Sequence, residues 1–412
     1  MDLVVRRARI VGLLNLSDIA IEGGRIVEIG DRLEESGEEE IDAKGRLVSP
    51  GFIDAHMHLD KALLGQETPN ISGTLHEAIK IMGRKKSEFS VDTVKERAGR
   101  VVEMAVRNGT TAIRTQVDID PLVGLTGLMA LNQVREEYSD LVDIQVVAFP
   151  QEGVTNVEGA EELLREAMEA GADVVGGIPA VDPDPELHID KVFSIARDFG
   201  VDIDMHIDES DDPNDLTLEY YAEKALEEEY PGNMTAGHCC SLAAVDDVVA
   251  RRVIGKVREA GVNVVALPST NLYLQGRGDG YPIRRGITRV RELLDAGVNV
   301  LYASDNVRDS FNPFGNADML ELALILAHGV QMGGVGDLET VFRMGTVNAA
   351  RAVGIMEDYG LEVGKKADMV ILDAESPQEA IIGQVKALYV VKNGAVVAED
   401  GRLINKQEAL GI

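Results

Sequence analysis

Between residues 51 and 305 one pattern repeats eight times: a short apolar run, usually rich in β-branched residues, followed by a helical stretch. The runs are GFIDAHMH, TTAIRTQVD, VDIQVVAFPQ, ADVVGGIPA, VDIDMHID, MTAGHC, VNVVALPS and VNVLYASD. Strands that are apolar along their whole length belong to parallel sheets covered on both faces, and parallel neighbours need a crossover, usually a helix. The stretches VKERAGRVVEMAVRNG, AEELLREAMEAG, IDKVFSIARDFG and IGKVREAG read as such helices. Each stops at glycine, which tolerates the left-handed backbone of a helix end. In the first of them Val94, Ala98, Val101 and Ala105 share one face. Eight strands, each followed by a helix, is the count of a (β/α)8 TIM barrel, and an α/β chain of this kind is the expectation. A doubly wound open sheet would more often carry fewer strands and a glycine-rich first turn.

The flanks have another texture. DLVVRRARIVG, SDIAIEGGRIVEIG and EIDAKGRLVSP alternate apolar and polar positions between turn signals. The same texture returns in KKADMVILDA and ALYVVKNGAVVAEDGRLI, where Asn-Gly marks a hairpin. The expected organisation is therefore residues 1–50 as the N-terminal part of a small β-sandwich, 51–355 as the barrel, and 356–412 as the C-terminal part of that sandwich.

Charge narrows the partners. With 40 basic against 71 acidic residues the net charge is −31, which leaves no basic patch for nucleic acid or an anionic membrane surface. Tryptophan is absent and aromatics make up 4%, so a stacking platform for single strands is not expected either. No apolar run approaches the roughly 18 residues of a membrane span, and the start MDLVVRRARIVG lacks the apolar core of a signal peptide. The two cysteines, Cys239 and Cys240, are adjacent, which rules out a disulfide framework and fits a reducing cytoplasm. A small molecule is the expected partner.

Barrel enzymes place their chemistry at the C-terminal ends of strands. The chain has seven histidines, and four fall at such ends: His56 and His58 on the first strand, His206 on the fifth, His238 on the sixth. Residues i and i+2 of a strand face the same way, so His56 and His58 aim at one point. The eighth strand ends in Asp305 and Asn306. Imidazoles with a carboxylate suit zinc or ferrous iron, with a coordination position left open for water. Glu209 follows His206 by three residues, so the loop must curl for its carboxylate to return over a metal and carry protons. His76, His188 and His328 lie on helices or connections and read as surface or packing residues.

The HxH after SPGFIDA, the HIDE around His206, the strand-six histidine and the strand-eight aspartate together resemble the amidohydrolase superfamily, and within it the cytosine deaminase family. AFPQEG (148–153), LQGRGDGYPIRRGITRV (274–290) and FGNADML (314–320) extend the resemblance over most of the chain. It implies one divalent metal, zinc or iron, on His56, His58, His206 and Asp305. It also implies Glu209 as the group protonating the ring nitrogen, His238 as hydrogen-bond partner of the attacking hydroxide, Asp305 also as acceptor of the water proton, and Gln151 as binder of the ring edge. ADVVGGIPAVD carries no lysine, so the two-metal arrangement of many relatives is not expected. Three positions depart from the cytosine deaminase pattern. Asn306 stands where a second aspartate lines the pocket, Phe311 where an aromatic is usually tryptophan, and Lys61 in HLDK resembles relatives acting on aminotriazines. Lys61 reads equally well as an ion-pair partner at the barrel rim.

The implied reaction is hydrolytic deamination of a small aminated ring, cytosine to uracil first, with N-alkylamino-triazine, isocytosine, creatinine or pterin aminohydrolysis as alternatives. The resemblance also admits a homo-oligomer. A second class, a non-catalytic metal- or ligand-binding barrel, has no need of Glu209 and His238 over the open site.

Overall fold

The computed structural model describes residues 1–404. Residues 405–412, which the expected sandwich would have included, lie outside the described residues. The chain opens with β1 (Leu3–Ile10), β2 (Ser17–Glu22), β3 (Arg25–Gly30), β4 (Glu39–Asp42) and β5 (Leu47–Pro50). The barrel follows as β6 (Phe52–Met57), β7 (Thr110–Asp118), β8 (Asp143–Phe149), β9 (Val174–Gly177), β10 (Asp202–Ile207), β11 (Met234–His238), β12 (Asn263–Ala266) and β13 (Val300–Tyr302). The chain then adds β14 (Met369–Leu372), β15 (Ala387–Lys392), β16 (Ala395–Glu399) and β17 (Arg402–Leu403).

Strands β6 to β13 pair in sequence order, all parallel, with helices between them. Nearly every residue of these strands is buried, as continuous apolar runs require when one face meets the barrel interior and the other a helix layer. Closure between the last and first strands runs through the site-bearing residues. Asp305 N donates to His56 O at 2.8 Å and His58 N to Asp305 O at 3.1 Å. Asp54, fully buried on β6, accepts from Ser304 N at 3.0 Å and from the Ser304 hydroxyl, so the seam is held by side chains as well.

Helix Val91–Arg107 starts three residues earlier than its apolar pattern suggests, because Ser90 and Thr93 form a capping box. Its Val94, Ala98, Val101 and Ala105 are buried together as expected, each valine contributing about 1.5–3 kcal/mol on leaving water. Helices Pro185–Phe199 and Asp247–Ala260 end at Gly200 and Gly261, both with positive φ, 66° and 69°. These are left-handed caps that other residues would adopt only under strain.

The terminal strands form one nine-stranded sheet in the order β17-β16-β15-β14-β5-β1-β2-β3, with β4 on β1. The first half of β1 pairs with β4 and its last residues with β5, and the register shifts between Val5 and Ala8, where Arg7 has φ +52°. This bulge bends the sheet so that both arms close on one apolar cluster that includes Val5, Ile19, Ile41, Val48, Met369 and Val391. Lys392, fully buried, donates to Asp143 at the start of β8 and to Asp368 (2.7 and 2.6 Å), tying the sheet to the barrel. No helix among the described residues is long and apolar enough to cross a membrane.

Candidate active site

His56 and His58 lie at the end of β6, His206 on β10 and Asp305 just after β13. These four residues, all buried, each bring one donor atom within 4.8 Å of the others. Nε2 of His58 is 3.1 Å from Nε2 of His206 and 3.3 Å from Oδ1 of Asp305, while Nε2 of His56 is 3.8 Å from the same oxygen. His56 Nε2 and both Asp305 oxygens have no hydrogen-bond partner although they are buried. Buried polar atoms are normally satisfied, and three without partners beside two imidazole nitrogens that face each other is the arrangement a divalent cation completes.

The charge states agree. Burial, then the neighbouring Lys61, pushes His58 down to about 4. Burial and the other imidazoles push His206 well below its ordinary value. Burial alone would raise Asp305, but the His58 ring 3.3 Å away and the other nearby histidines hold it below the usual carboxylate range. Two neutral imidazoles and an ionised carboxylate are ready ligands. Burial opposes charge on His56, but Asp204 more than offsets it and the value rises, so this ring releases its proton on ligation. Asp204 Oδ1 lies 3.6 Å from His56 Nδ1, accepts from Gln116 Nε2 at 3.2 Å, and its other oxygen accepts from Arg114 at 3.2 Å. Such a carboxylate behind a ligating imidazole fixes ring orientation. Glycine at 237 leaves room for that ring: a Cβ there would lie 3.2 Å from His56 Cε1.

Two further titratable groups, His238 and Glu209, complete the mouth. His238 and Asp305 both have left-handed backbones, φ +66° and +60°, conformations held only where the surroundings over-determine them. Asn271 Nδ2 lies 2.9 Å from His238 Nδ1; with the amide as donor, the ring proton sits on Nε2, which is buried without a partner. Burial keeps His238 neutral, down to about 3. The loop after β10 does curl: Glu209 Oε1 is 3.6 Å from His238 Nδ1. Burial and Asp305 raise its carboxyl well above the ordinary value, against the pull of Lys61.

A narrow space opens over this cluster, lined by His58, His206, Glu209, His238 and Asp305. Lys61, Gln151 and Asn306 form a polar edge, and Leu75, Ile79, Ile178 and Phe311 an apolar wall. Larger clefts of about 540 Å³ at Asp143 and Asp368 and about 520 Å³ at Arg285 and Arg291 are lined by other residues and hold none of the donor cluster. Lys61 is both things the sequence allows. It lines the space, and its Nζ donates to Asp118 Oδ1 at 2.7 Å and to Gln151 Oε1 at 3.1 Å. Asn306 donates to Asp309 at 2.7 Å.

His76 and His328 are exposed, and His188 is a buried packing residue bonded to Asp182 at 2.6 Å. Both cysteines are buried and free. Sequence reasoning misses Asp54, Arg114, Gln116, Asp118, Asp204, Asn271, Leu75 and Ile79. Only an alternating acid or base inside an apolar strand, as in TTAIRTQVD and VDIDMHID, hints at the barrel-floor group.

The family described as Amidohydrolase family matches residues 39–87 and 65–398. The chain belongs to the amidohydrolase family. It is a hydrolase of carbon–nitrogen bonds in a metal-dependent family, and the donor cluster just described is where a metal fits. The chain is 36% identical over 406 residues to N-isopropylammelide isopropyl amidohydrolase of Pseudomonas sp. (strain ADP), covering 97% of this chain and 98% of the relative. It is 33% identical to pterin deaminase of Rhizobium rhizogenes, covering 86% and 82%. Among solved structures, 5-methylcytosine deaminase from Klebsiella pneumoniae liganded with 5-fluorocytosine is similar at 34% identity, with a TM-score of 0.92 over 98% of each chain.

Proposed function

We propose that this amidohydrolase removes an exocyclic amino group from a small oxo-substituted nitrogen ring, a cytosine-type ring first. The observation that carries the reading is the pairing of Glu209 and His238 beside the donor cluster, in a space that Lys61, Gln151 and Asn306 also line. His56, His58, His206 and Asp305 would hold one divalent cation, which when bound acidifies water and polarises the substrate. Glu209, buried and raised, is protonated when the ring enters and gives that proton to the ring nitrogen beside the attacked carbon. Water adds its oxygen to that carbon. Asp305 and Glu209 take up its protons, and His238 Nε2–H donates to the added oxygen. The carbon–nitrogen bond to the exocyclic group then breaks, with Glu209 returning a proton so that ammonia leaves.

The apolar wall of Leu75, Ile79, Ile178 and Phe311 favours a ring with a methyl group, 5-methylcytosine, over bare cytosine. A second reading, N-alkylammelide hydrolysis with release of the alkylamine, is favoured by Lys61. Its ammonium at the pocket suits a ring with a further oxo group carrying negative charge. The test is ammonia or amine release from cytosine, 5-methylcytosine, isocytosine, ammelide, N-isopropylammelide, creatinine and a pterin, with metal content assayed on the same sample. Turnover of either alkylated ring ahead of cytosine is expected. Metal binding without turnover of any would refute the amino-heterocycle reading.

A further inference from the structure

A second buried lysine sits near the pocket and takes no part in the steps above. Lys86 begins the short turn Lys86–Glu88 at the end of helix Leu75–Lys85, and its side chain is 1% exposed. A buried ammonium needs close acceptors, and three carboxylates surround it. Nζ donates to Asp120 Oδ2 at 2.6 Å and to Glu152 Oε1 at 2.7 Å, and lies 3.5 Å from Asp118 Oδ2. The other oxygen of Asp118 is the one that binds Lys61, and Lys61 also holds Gln151. Two lysines thus share one carboxylate and grip two consecutive residues, Gln151 and Glu152, of the loop after β8. One faces the pocket. The other anchors the helix whose Leu75 and Ile79 form the pocket wall, and whose Ala78 and Met82 pack in one cluster with Phe311.

We propose that Lys86 is a positioning residue for substrate binding: it seats the helix over the pocket and, through Asp118, fixes where Lys61 and Gln151 present their polar atoms to the ring. The reason is charge balance. Lys86 pairs with Asp118, Asp120 and Glu152 and Lys61 with Asp118, so without Lys86 the lysine left beside this carboxylate cluster is Lys61. Its ammonium is then drawn off Gln151 towards them, and the ring edge loses two aligned groups at once. In a low-dielectric site such a shift is felt in binding more than in the bond-breaking step.

The experiment is a double-mutant cycle of Lys61→Met and Lys86→Met, read as KM and kcat on whichever ring the metal-loaded enzyme turns over fastest. Lys86→Met is expected to raise KM about tenfold, mid-range for members of one ion-pair network, with a smaller change in kcat. In the Lys61→Met background the same substitution should change KM less than about twofold, and Lys86→Arg should recover most of the loss. An equal KM effect in both backgrounds would overturn the inference, because a clamp that only stabilises the fold has no reason to act through Lys61. Should Lys86→Met fail to fold, Glu152→Gln replaces it in the cycle, since that side chain is 36% exposed. The inference rests on the amino-heterocycle reading only for its substrate. If the unmodified enzyme turns over none of the panel, that reading fails by itself, and hydrogen exchange in Glu152→Gln decides the inference. Faster exchange in both Leu75–Lys85 and the amides around Gln151 supports it; a change confined to Lys86–Glu88 overturns it.

Discussion

Replacing Arg114 with methionine tests whether the barrel floor is what orients the donor cluster. Arg114 is 1% exposed on β7 and donates from Nη1 to Asp204 Oδ2 at 3.2 Å and from Nε to Gln145 at 3.0 Å. Asp204 is fully buried, and without Arg114 its closest remaining donor is Gln116 Nε2 at 3.2 Å, a neutral amide. Removing one partner of a buried ion pair costs about 3–5 kcal/mol, and the retained amide places this case near the lower value. Unfolding entropy of about 2.1 cal/mol/K per residue over 412 residues is roughly 0.87 kcal/mol/K, so about 3 kcal/mol lowers the melting midpoint by about 3–4 °C. Calorimetry of the metal-free protein at one scan rate reads this. The double variant Arg114→Met/Asp204→Leu leaves no orphaned charge and should melt above the single variant. It should nevertheless bind metal about 10–100-fold more weakly, because His56 has lost the carboxylate behind its Nδ1; chelator competition measures this. A single variant that melts within about 1 °C of the parent, or a double variant that melts lower than the single, would refute the reasoning.

Glu209→Gln is expected to lower kcat by about 10²–10⁴-fold with metal content unchanged; loss of metal would instead place Glu209 among the ligands. Gly237→Ala puts a Cβ 3.2 Å from His56 Cε1 and 3.4 Å from Met205 O, so the ring must give way and metal affinity should fall about tenfold in chelator competition while circular dichroism is unchanged. Burial alone would raise Asp182, but the hydrogen bond from His188 and the amides of Thr155 and Val154 bring it down to about 2. Because that folded value lies below the unfolded one of about 3.9, the stabilisation is complete above about pH 4 and is lost as pH falls towards 2. Asp182→Asn should therefore flatten the acid limb of melting temperature against pH between about 4 and 2, and an unchanged limb would mean the loop at 154–156 is held by other contacts.

The strands of the barrel are legible in the sequence because burial on both faces demands unbroken apolar runs, and such runs need no knowledge of their neighbours. Helix ends at glycine are equally local. Helix starts are less so: Ser90 and Asp184 cap segments whose first turns are polar, and apolar periodicity alone begins too late. The similar texture of the two termini suggests a shared unit, but its register, with Val48 opposite Ile371, depends on where the closed barrel delivers the chain.

The candidate site divides the same way. His56 and His58 announce themselves by the two-residue period of a strand, and His206, His238 and Asp305 by standing where apolar runs stop. Convergence of their atoms to within a few ångströms is decided by the parallel register, Ile207 beside His238 and Met57 beside Asp305, which no local pattern encodes. The same holds for the ion pair between Arg114 and Asp204, the seam between Asp54 and Ser304, and the carboxylate shared by Lys61 and Lys86. By itself the sequence determines which segments are buried strands and which of their ends hold candidate ligands, because period and burial are properties of each segment. Only the tertiary structure decides which of those residues meet, because their partners lie dozens to hundreds of residues away and are brought together by the closure of the barrel.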